Sequence, residues 1–507
     1  MSESVWLGTT PQKNFPSLEG DIEVDAAVVG GGITGIVAAY FLAKEGRRVA
    51  VIDLREPGYG ETGHTTAHLT EQVDARFAAI RKRQGDDAAR LVARAGRVAI
   101  ETIASIAASE NIECAFEEAT AFLYSDDEKD VDELRSEAEA AAAAGIAATF
   151  TSDVPLPYEV AGAIRFERQA QFHPLRFLHG VSAAIVRHGG SIYGSTRALA
   201  VDDGSPAIIR TERGTIRARE VLVTANVPVN QRGILQTKLP AYRTYAIAAP
   251  LQRSIEPALF WDNEDPYHYI RTHREGTETF LIVGGEDHKT GEETETDRRF
   301  DALEAWTRAR FEVGPIRYRW SGQIIEPPDG LPYIGRNGFT EHIWVATGYS
   351  GQGMTFGAFA GTMLADLVRG VASEWKDLFD PLRLPSLETL GTYVAENLDF
   401  PRHLIPDRLM SRDVEAGGLD EVADGEGKIV EIGGRKIAAS RVSGELHLLS
   451  TICPHLGCDV RWNVAERSWD CPCHGSRFAP DGRVLNGPAS KELKRVELGG
   501  EEEARRG

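Results

Sequence analysis

Four of the five cysteines of this chain fall within one short stretch, and two histidines fall among them. Cys453-Pro454-His455 is followed, after fifteen residues, by Cys471-Pro472-Cys473-His474, a C-x-H pattern and then a C-x-x-H pattern. Two thiolates and two imidazoles suit a 2Fe-2S centre in which two cysteines hold one iron and two histidines the other, and exchanging two thiolates for neutral ligands raises the potential to about −150 to +300 mV. The same four groups also satisfy a tetrahedral zinc site, although zinc has no use for the additional Cys458 and Cys473 or for the string Cys471-Pro472-Cys473-His474-Gly475-Ser476. A second constellation lies near the amino terminus: Gly30-x-Gly32-x-x-Gly35, with Asp53 downstream. Glycines at this spacing let the backbone approach a pyrophosphate, the helix that follows aims its dipole at it, and a terminal acid accepts hydrogen bonds from ribose hydroxyls. These residues serve FAD and NAD alike.

The elements needed to position these groups are legible around them. Residues 24–29 read as a buried strand, 33–44 as a helix and 48–53 as a second strand, the β-α-β unit that the glycine turn requires. The charge-free run 26–43 has the minimum length of a membrane span, and Gly31 and Gly35 have GxxxG spacing, but the successive glycines 30–32 break a helix. Strand, turn and helix account for every residue of the run. Residues 73–148, rich in Ala, Glu, Arg and Asp, read as a helical insertion, and 177–187 as an amphipathic helix followed by short strands at 192–193, 207–210 and 221–224. Residues 242–250, 267–271 and 279–283 read as antiparallel strands of a separate sheet. A third apolar unit follows, with a strand at 343–347, a turn at 348–353 and a helix at 355–368. Residues 381–406, punctuated by prolines, read as a linker, and short strands at 428–432, 435–439 and 446–451 mark a small all-β module.

Composition narrows the class. The chain has 507 residues, 42% hydrophobic and 26% charged, which fits folded domains, and its net charge of −20 has the wrong sign for gripping nucleic acid or an anionic membrane. Five cysteines are few for a disulfide-stapled secreted protein. The amino terminus has no basic stretch followed by an apolar core, so no secretory signal is expected and a cytoplasmic location is the default.

Two further segments separate FAD from NAD. Thr62-Gly63-His64-Thr65-Thr66-Ala67-His68 follows Asp53, and Asp329-Gly330-Leu331-Pro332-Tyr333-Ile334-Gly335 precedes Gly348-Tyr349-Ser350-Gly351-Gln352-Gly353-Met354-Thr355. With the first glycines they resemble, in motif order over residues 22–372, the D-amino-acid-oxidase-like (DAO) family of FAD oxidoreductases, which includes glycine oxidase, sarcosine oxidase and dimethylglycine dehydrogenase. The resemblance implies that Gly63, Thr65 and Thr66 meet the pyrophosphate and flavin ring, and that residues 221–225, ending at Ala225, lie near the adenine. It further implies that Asp329, Gly348, Gly351, Gly353, Met354 and Thr355 belong to the cofactor site, with a helix from Gly353 pointing its positive end at the flavin N1/O2 edge. An NAD-only site has no use for this third segment. His68 sits where some dimethylglycine-dehydrogenase-like enzymes attach flavin covalently.

The carboxyl-terminal spacing resembles Rieske proteins, which implies Cys453 and Cys471 on one iron and His455 and His474 on the other. In the respiratory type of Rieske domain the pair equivalent to Cys458 and Cys473 forms a disulfide, a serine at the place of Ser476 hydrogen-bonds a cluster sulfide, and a loop like Gly487-Pro488-Ala489 covers the cluster. Ring-hydroxylating oxygenases also carry such centres, but their loops resemble C-x-H-R-G, lack the disulfide cysteines, and accompany a mononuclear iron site for which no spacing is visible here. The tandem arrangement resembles, over nearly the whole chain, a bacterial family of FAD-dependent oxidoreductases with a Rieske domain. The implied fold is an α/β FAD-binding domain of Rossmann-like, glutathione-reductase type with an antiparallel β-sheet substrate domain, plus a small all-β Rieske domain. The expected boundaries are 22–375 for the oxidoreductase, with FAD-binding segments 22–75, 150–235 and 322–372 and substrate segments 76–149 and 236–321, then a linker at 376–410 and the Rieske domain at 411–500.

The combination implies an amine or amino-acid dehydrogenase that oxidises a C–N bond by hydride transfer and relays single electrons through the cluster to an external acceptor, a protein or quinone. Tyr267, Tyr269 and Arg271 alternate, so a strand sets them on one face, where Arg271 either grips a substrate carboxylate or is an ordinary exposed strand arginine. Tyr349 is expected to line the pocket, and His288 and Lys289, after Gly284-Gly285-Glu286-Asp287, to occupy a plain turn rather than a loop near the flavin. Two other classes stay open. One is an electron-transfer protein reduced by NAD(P)H or a partner and feeding an oxygenase. The other is an oxygen-using oxidase whose β-module is a zinc scaffold.

Overall fold

The structure, a computed structural model, describes residues 3–228, 235, 238–384 and 418–497. Its first sheet grows from the strand Ile22–Val29, whose carboxyl-terminal half is buried on both faces and is therefore apolar without alternation. It runs parallel to Val49–Ile52 on one side and Thr215–Val223 on the other, and the order across the sheet is 333–336, 343–347, 215–223, 22–29, 49–52, 191–193. The helices Ile33–Lys44 and Gly353–Val368 cover one face and touch each other. Their close approach requires glycine, because a Cβ at Gly361 would lie 2.6 Å from the Thr34 carbonyl oxygen and one at Gly357 would lie 2.6 Å from the Ile33 side chain. Both helix amino termini thereby open on one cleft. The charge-free run near the amino terminus is strand, turn and helix, and among the described residues no helix is long and apolar enough to cross a membrane.

The second sheet has nine strands in the order 318–325, 241–250, 278–289, 268–275, 259–262, 117–125, 162–171, 68–69, with 148–151 beside 162–171. Two of its members depart from the sequence expectation. Within the supposed helical insertion, the helices Phe77–Ser109 and Val131–Ala143 are separated by the strand Glu117–Ser125, whose last five residues are all buried and show no period-2 signal. The strand Gly162–Gln171, placed by sequence in an FAD-binding segment, pairs with Glu117–Ser125 and so belongs to the substrate sheet. His288 and Lys289 likewise end the strand Glu278–Lys289 rather than occupying a turn. A short amino-terminal helix, Val5–Thr9, buries Trp6 against His173 and His273.

The all-β module has a three-stranded sheet, Gly427–Ile432, Arg435–Val442 and Glu445–Ser450, and a four-stranded one, 461–463, 468–470, 477–478 and 484–486, around its own core of Val460, Trp469 and Phe478. Most of the expected linker, from 385 onward, lies outside the described residues.

Candidate active site

The cleft opens at the carboxyl ends of the parallel strands. Gly30 takes φ 112°, and a Cβ there would lie 2.9 Å from the Ala225 nitrogen, so the turn admits no side chain between the two strand ends. Gly32 caps the helix Ile33–Lys44 and lines the cleft. Asp53 accepts hydrogen bonds from the Gly31 N–H at 2.7 Å and the Arg55 N–H at 2.9 Å. Burial nevertheless raises its pKa, and its remaining lone pairs are available at the cleft wall to ribose hydroxyls.

The segment 60–70 forms the middle of the cleft. Thr65 Oγ1 accepts from the Ala67 N–H at 2.9 Å, Ala67 takes φ 61°, and the loop is braced from outside: Ser4 Oγ donates to the Gly63 carbonyl at 2.5 Å and Trp6 Nε1 donates to the Thr65 carbonyl at 2.6 Å. His68 stands between Trp261 and Tyr269, edge-on to both. Its Nδ1 meets the Thr66 hydroxyl at 3.1 Å and its Nε2 meets the Ile270 carbonyl at 3.2 Å, which makes Nε2 the protonated nitrogen of a neutral ring. Burial, with the Arg271 charge nearby, pushes its pKa down to about 3.

The cysteine-histidine loops lie side by side in the all-β module. Cys458 and Cys473 form a disulfide that ties them together. Cys453 and Cys471 are buried and not disulfide-bonded, and the His455 and His474 rings stand 4.9 Å apart at 87°. Backbone N–H groups of His455 and Leu456 point at the Cys453 sulfur, and those of Cys473 and His474 at the Cys471 sulfur. Such donors favour thiolate ligands. Ser476 also reaches the Cys453 sulfur, while its hydroxyl accepts from the Ala489 N–H at 3.0 Å and so ties down the covering loop. Two thiols and two imidazoles on disulfide-linked loops fit a histidine-ligated 2Fe-2S cluster; a zinc site gives no role to the disulfide.

This module is docked on the cleft. Gln323 Nε2 donates to the Gly475 carbonyl at 2.8 Å, Asn486 Nδ2 donates to Glu61 Oε1 at 2.8 Å, and Arg243, buried, donates to Glu466 at 2.5 Å. A Cβ at Gly475 would lie 2.4 Å from the Ala241 side chain, and one at Gly291 would lie 2.7 Å from the Pro472 nitrogen. Residues Val484 to Asn486 and Ala489 line the flavin cleft.

Comparison with known proteins agrees with this geometry. Residues 25–367 match the family described as DAO, FAD dependent oxidoreductase, and residues 413–497 match the Rieske [2Fe-2S] domain. The chain belongs to the DAO family of FAD-dependent oxidoreductases. Its cofactors are FAD and a Rieske 2Fe-2S cluster. The oxidoreductase is 35% identical over 500 residues to YhfW of Bacillus subtilis strain 168, named as a Rieske 2Fe-2S iron-sulfur protein, with 98% of each chain covered. It is 25% identical to gamma-glutamylputrescine oxidoreductase of Escherichia coli K12, over 71% of this chain and 87% of that protein. Glycine oxidase from Geobacillus kaustophilus shares its fold, with a TM-score of 0.61 at 18% identity over 72% of this chain and all of that one.

Of the residues singled out by sequence, Gly30, Gly32, Asp53, Thr65, Thr66, Ala225, Tyr269, Tyr349, Gly351, Gly353 and Met354 line the oxidoreductase's cleft. The helix Gly353–Val368 opens there as expected. Gly35, Gly63, Gly348 and Thr355 support the cleft from behind: a Cβ at Gly35 would lie 2.0 Å from the Gly30 carbonyl oxygen, one at Gly63 2.4 Å from the Gly58 carbonyl oxygen, and one at Gly348 2.6 Å from Pro327. Thr355 Oγ1 accepts from the Thr70 N–H at 3.2 Å.

Two expectations need correction. Asp329 does not line the cleft; its carboxylate is held by Arg383 at 2.8 Å, and that guanidinium keeps it below the usual carboxylate range. Arg271 shares a strand face with Tyr269 but lies deeper, 1% exposed, with Nη1 donating to the carbonyls of Thr66 at 3.1 Å, Ala67 at 2.8 Å and Phe172 at 3.3 Å. It braces the flavin loop and is not free to grip a substrate carboxylate. Sequence missed Ser4, Trp6 and Gln323, whose partners are all distant in the chain.

Behind the same sheet, His268 stacks on Trp306 at 4.1 Å and pairs with Asp262 at 2.9 Å, with Glu286 at 3.8 Å. Burial lowers its pKa, but these carboxylates prevail and raise it to about 9. The ion pair therefore stabilises the fold fully below the unfolded pKa of about 6.5 and is lost as pH rises through about 9, a change on the order of 3 kcal/mol. Thermal denaturation between pH 6 and 10 checks this: stability falls across that window, and His268→Gln flattens the fall.

Proposed function

We propose that this FAD-dependent oxidoreductase oxidises the C–N bond of a small amine or amino acid and delivers the electrons through its Rieske cluster to an external acceptor. When bound, FAD accepts a hydride from the carbon next to nitrogen, and the cluster carries electrons singly. The chain's own residues hold the substrate and exclude water. Burial pushes the Tyr269 and Tyr349 phenols up, so both remain protonated, with Tyr269 bonded to the Thr244 hydroxyl at 2.6 Å and Tyr349 to that of Thr34 at 3.0 Å. His68 is neutral as well, so these three side chains are suited to orientation rather than to proton transfer.

Gln323 carries the relay reading. Its neighbours Gly322 and Ile324 line the flavin cleft while its side chain holds the cluster loop at Gly475, so one residue separates the two cofactor-binding walls. The names of the glycine oxidase and gamma-glutamylputrescine oxidoreductase relatives support the amine class. Anaerobic mixing with a panel of amines and amino acids, following flavin and cluster absorption separately, is expected to bleach the flavin first and the cluster after it. Reduction by NADPH or NADH with no response to any amine overturns the proposal in favour of an electron-transfer role.

A further inference from the structure

The strands Ala241–Pro250 and Glu278–Lys289 lose register at one point: Arg243 faces His288 and Tyr245 faces Gly285, so Thr244 alone stands opposite both Glu286 and Asp287. This is a β-bulge, and its extra residue reverses which face the following side chain takes. Glu286, at φ 60°, turns toward the outer helix Asp297–Arg310, where it meets Arg299 at 3.3 Å. Asp287 is thereby returned to the cleft face, beside the Thr244 and Tyr267 hydroxyls. Room is made by Gly284 and Gly285, where a Cβ would lie 2.1 Å from the Tyr269 ring and 2.4 Å from the Tyr267 carbonyl oxygen.

Both Asp287 oxygens are buried without a well-formed hydrogen bond. Burial raises its pKa to about 7; the Thr244 and Tyr267 hydroxyls and the His268 charge oppose the rise, and Asp74 adds to it. Asp74 comes from the opposite side of the cleft, its carboxylate accepting from the Gly351 N–H at 2.9 Å. Between the two acids stand Tyr267 and Tyr269, ring centroids 5.6 Å apart, with Trp261 in the same wall. Two carboxylates and a set of aromatic faces recognise an ammonium group. The charged His268 lies behind Asp287 and Arg76 lies near Asp74, but neither lines the cleft; the cleft-lining arginines among the described residues are Arg55, beside Asp53, and Arg197, which pairs with Glu492. Arg271 is consumed by carbonyls, and Arg76, donating to Asn263, does not line the cleft.

We propose that the substrate end of the cleft takes a cationic amine that bears no carboxylate beside its nitrogen, with Asp287 and Asp74 supplying the counter-charge. This rests on, and narrows, the amine-oxidation reading. The test compares 1,4-diaminobutane with ornithine, its α-carboxylated counterpart, and propylamine with 2-aminobutanoic acid, by perturbation of the flavin spectrum of the anaerobic holoenzyme. Each amine is expected to bind at least tenfold more tightly than its carboxylated partner. Asp287→Asn and Asp74→Asn are each expected to raise the Kd of the amines about tenfold while leaving those of the amino acids unchanged. Equal or tighter binding of the carboxylated partners, an unaltered amine Kd in both variants, or no perturbation by any of the four overturns the proposal. If Asp287→Asn does not fold, Asp74→Asn and the wild-type pairs still decide. Amines that bind as expected without bleaching the flavin leave this recognition standing and sink the oxidation reading; bleaching by amino acids alone does the reverse.

Discussion

Replacing Arg271 by methionine is expected to unfold the flavin loop rather than to weaken substrate binding. The guanidinium is buried and donates to carbonyl oxygens of Thr66, Ala67 and Phe172, none of which the thioether can satisfy. Removing such a buried charged donor costs about 3–5 kcal/mol, because the acceptors stay desolvated and unpaired. The melting temperature should fall by about 4–7 °C, with flavin lost from the purified protein. A variant that keeps its flavin and its melting temperature while KM for amino acids rises would restore the carboxylate grip that alternation on the strand suggests.

The second large effect concerns the cluster. Cys453→Ser removes one of two thiolates on loops otherwise held by the Cys458–Cys473 disulfide and by Ser476, so the module should keep its fold while failing to retain iron. The low-average-g electron paramagnetic resonance signal of the reduced protein should vanish, with flavin content unchanged. If electrons leave through the cluster, transfer to a one-electron protein acceptor should fall at least a hundredfold while substrate still bleaches the flavin within twofold of the normal rate. Undiminished transfer would show that the flavin discharges directly.

What sequence made legible, and what it did not, follows from where each signal resides. The glycine turn and the C-x-H and C-x-x-H loops are local: spacing, side-chain chemistry and flanking elements all lie within a few residues, so Gly30 and Asp53 could be placed at the cleft and the cysteine-histidine loops side by side from the sequence alone. Arg271 was placed on the correct face, since Tyr269 and Arg271 do share one, but strand parity carries no information on depth. Asp287 escaped because a bulge inverts parity; the successive glycines 284 and 285 within an otherwise apolar strand were the available sign. Asp329 was misassigned because its partner, Arg383, lies beyond the domain match. The strand Glu117–Ser125 hid because a doubly buried strand loses its alternation.

The way the carboxyl-terminal module sits has a bearing on how the cleft keeps its cofactor. Val484 to Asn486 and Ala489 form part of the wall around the dinucleotide, and Asn486, Gln323 and Arg243 latch that wall to the body of the enzyme. Seated there, the module covers part of the cleft and narrows the route by which a dinucleotide enters or leaves. The Rieske module thus supplies part of the wall of the cleft that the oxidoreductase domain builds for its cofactor.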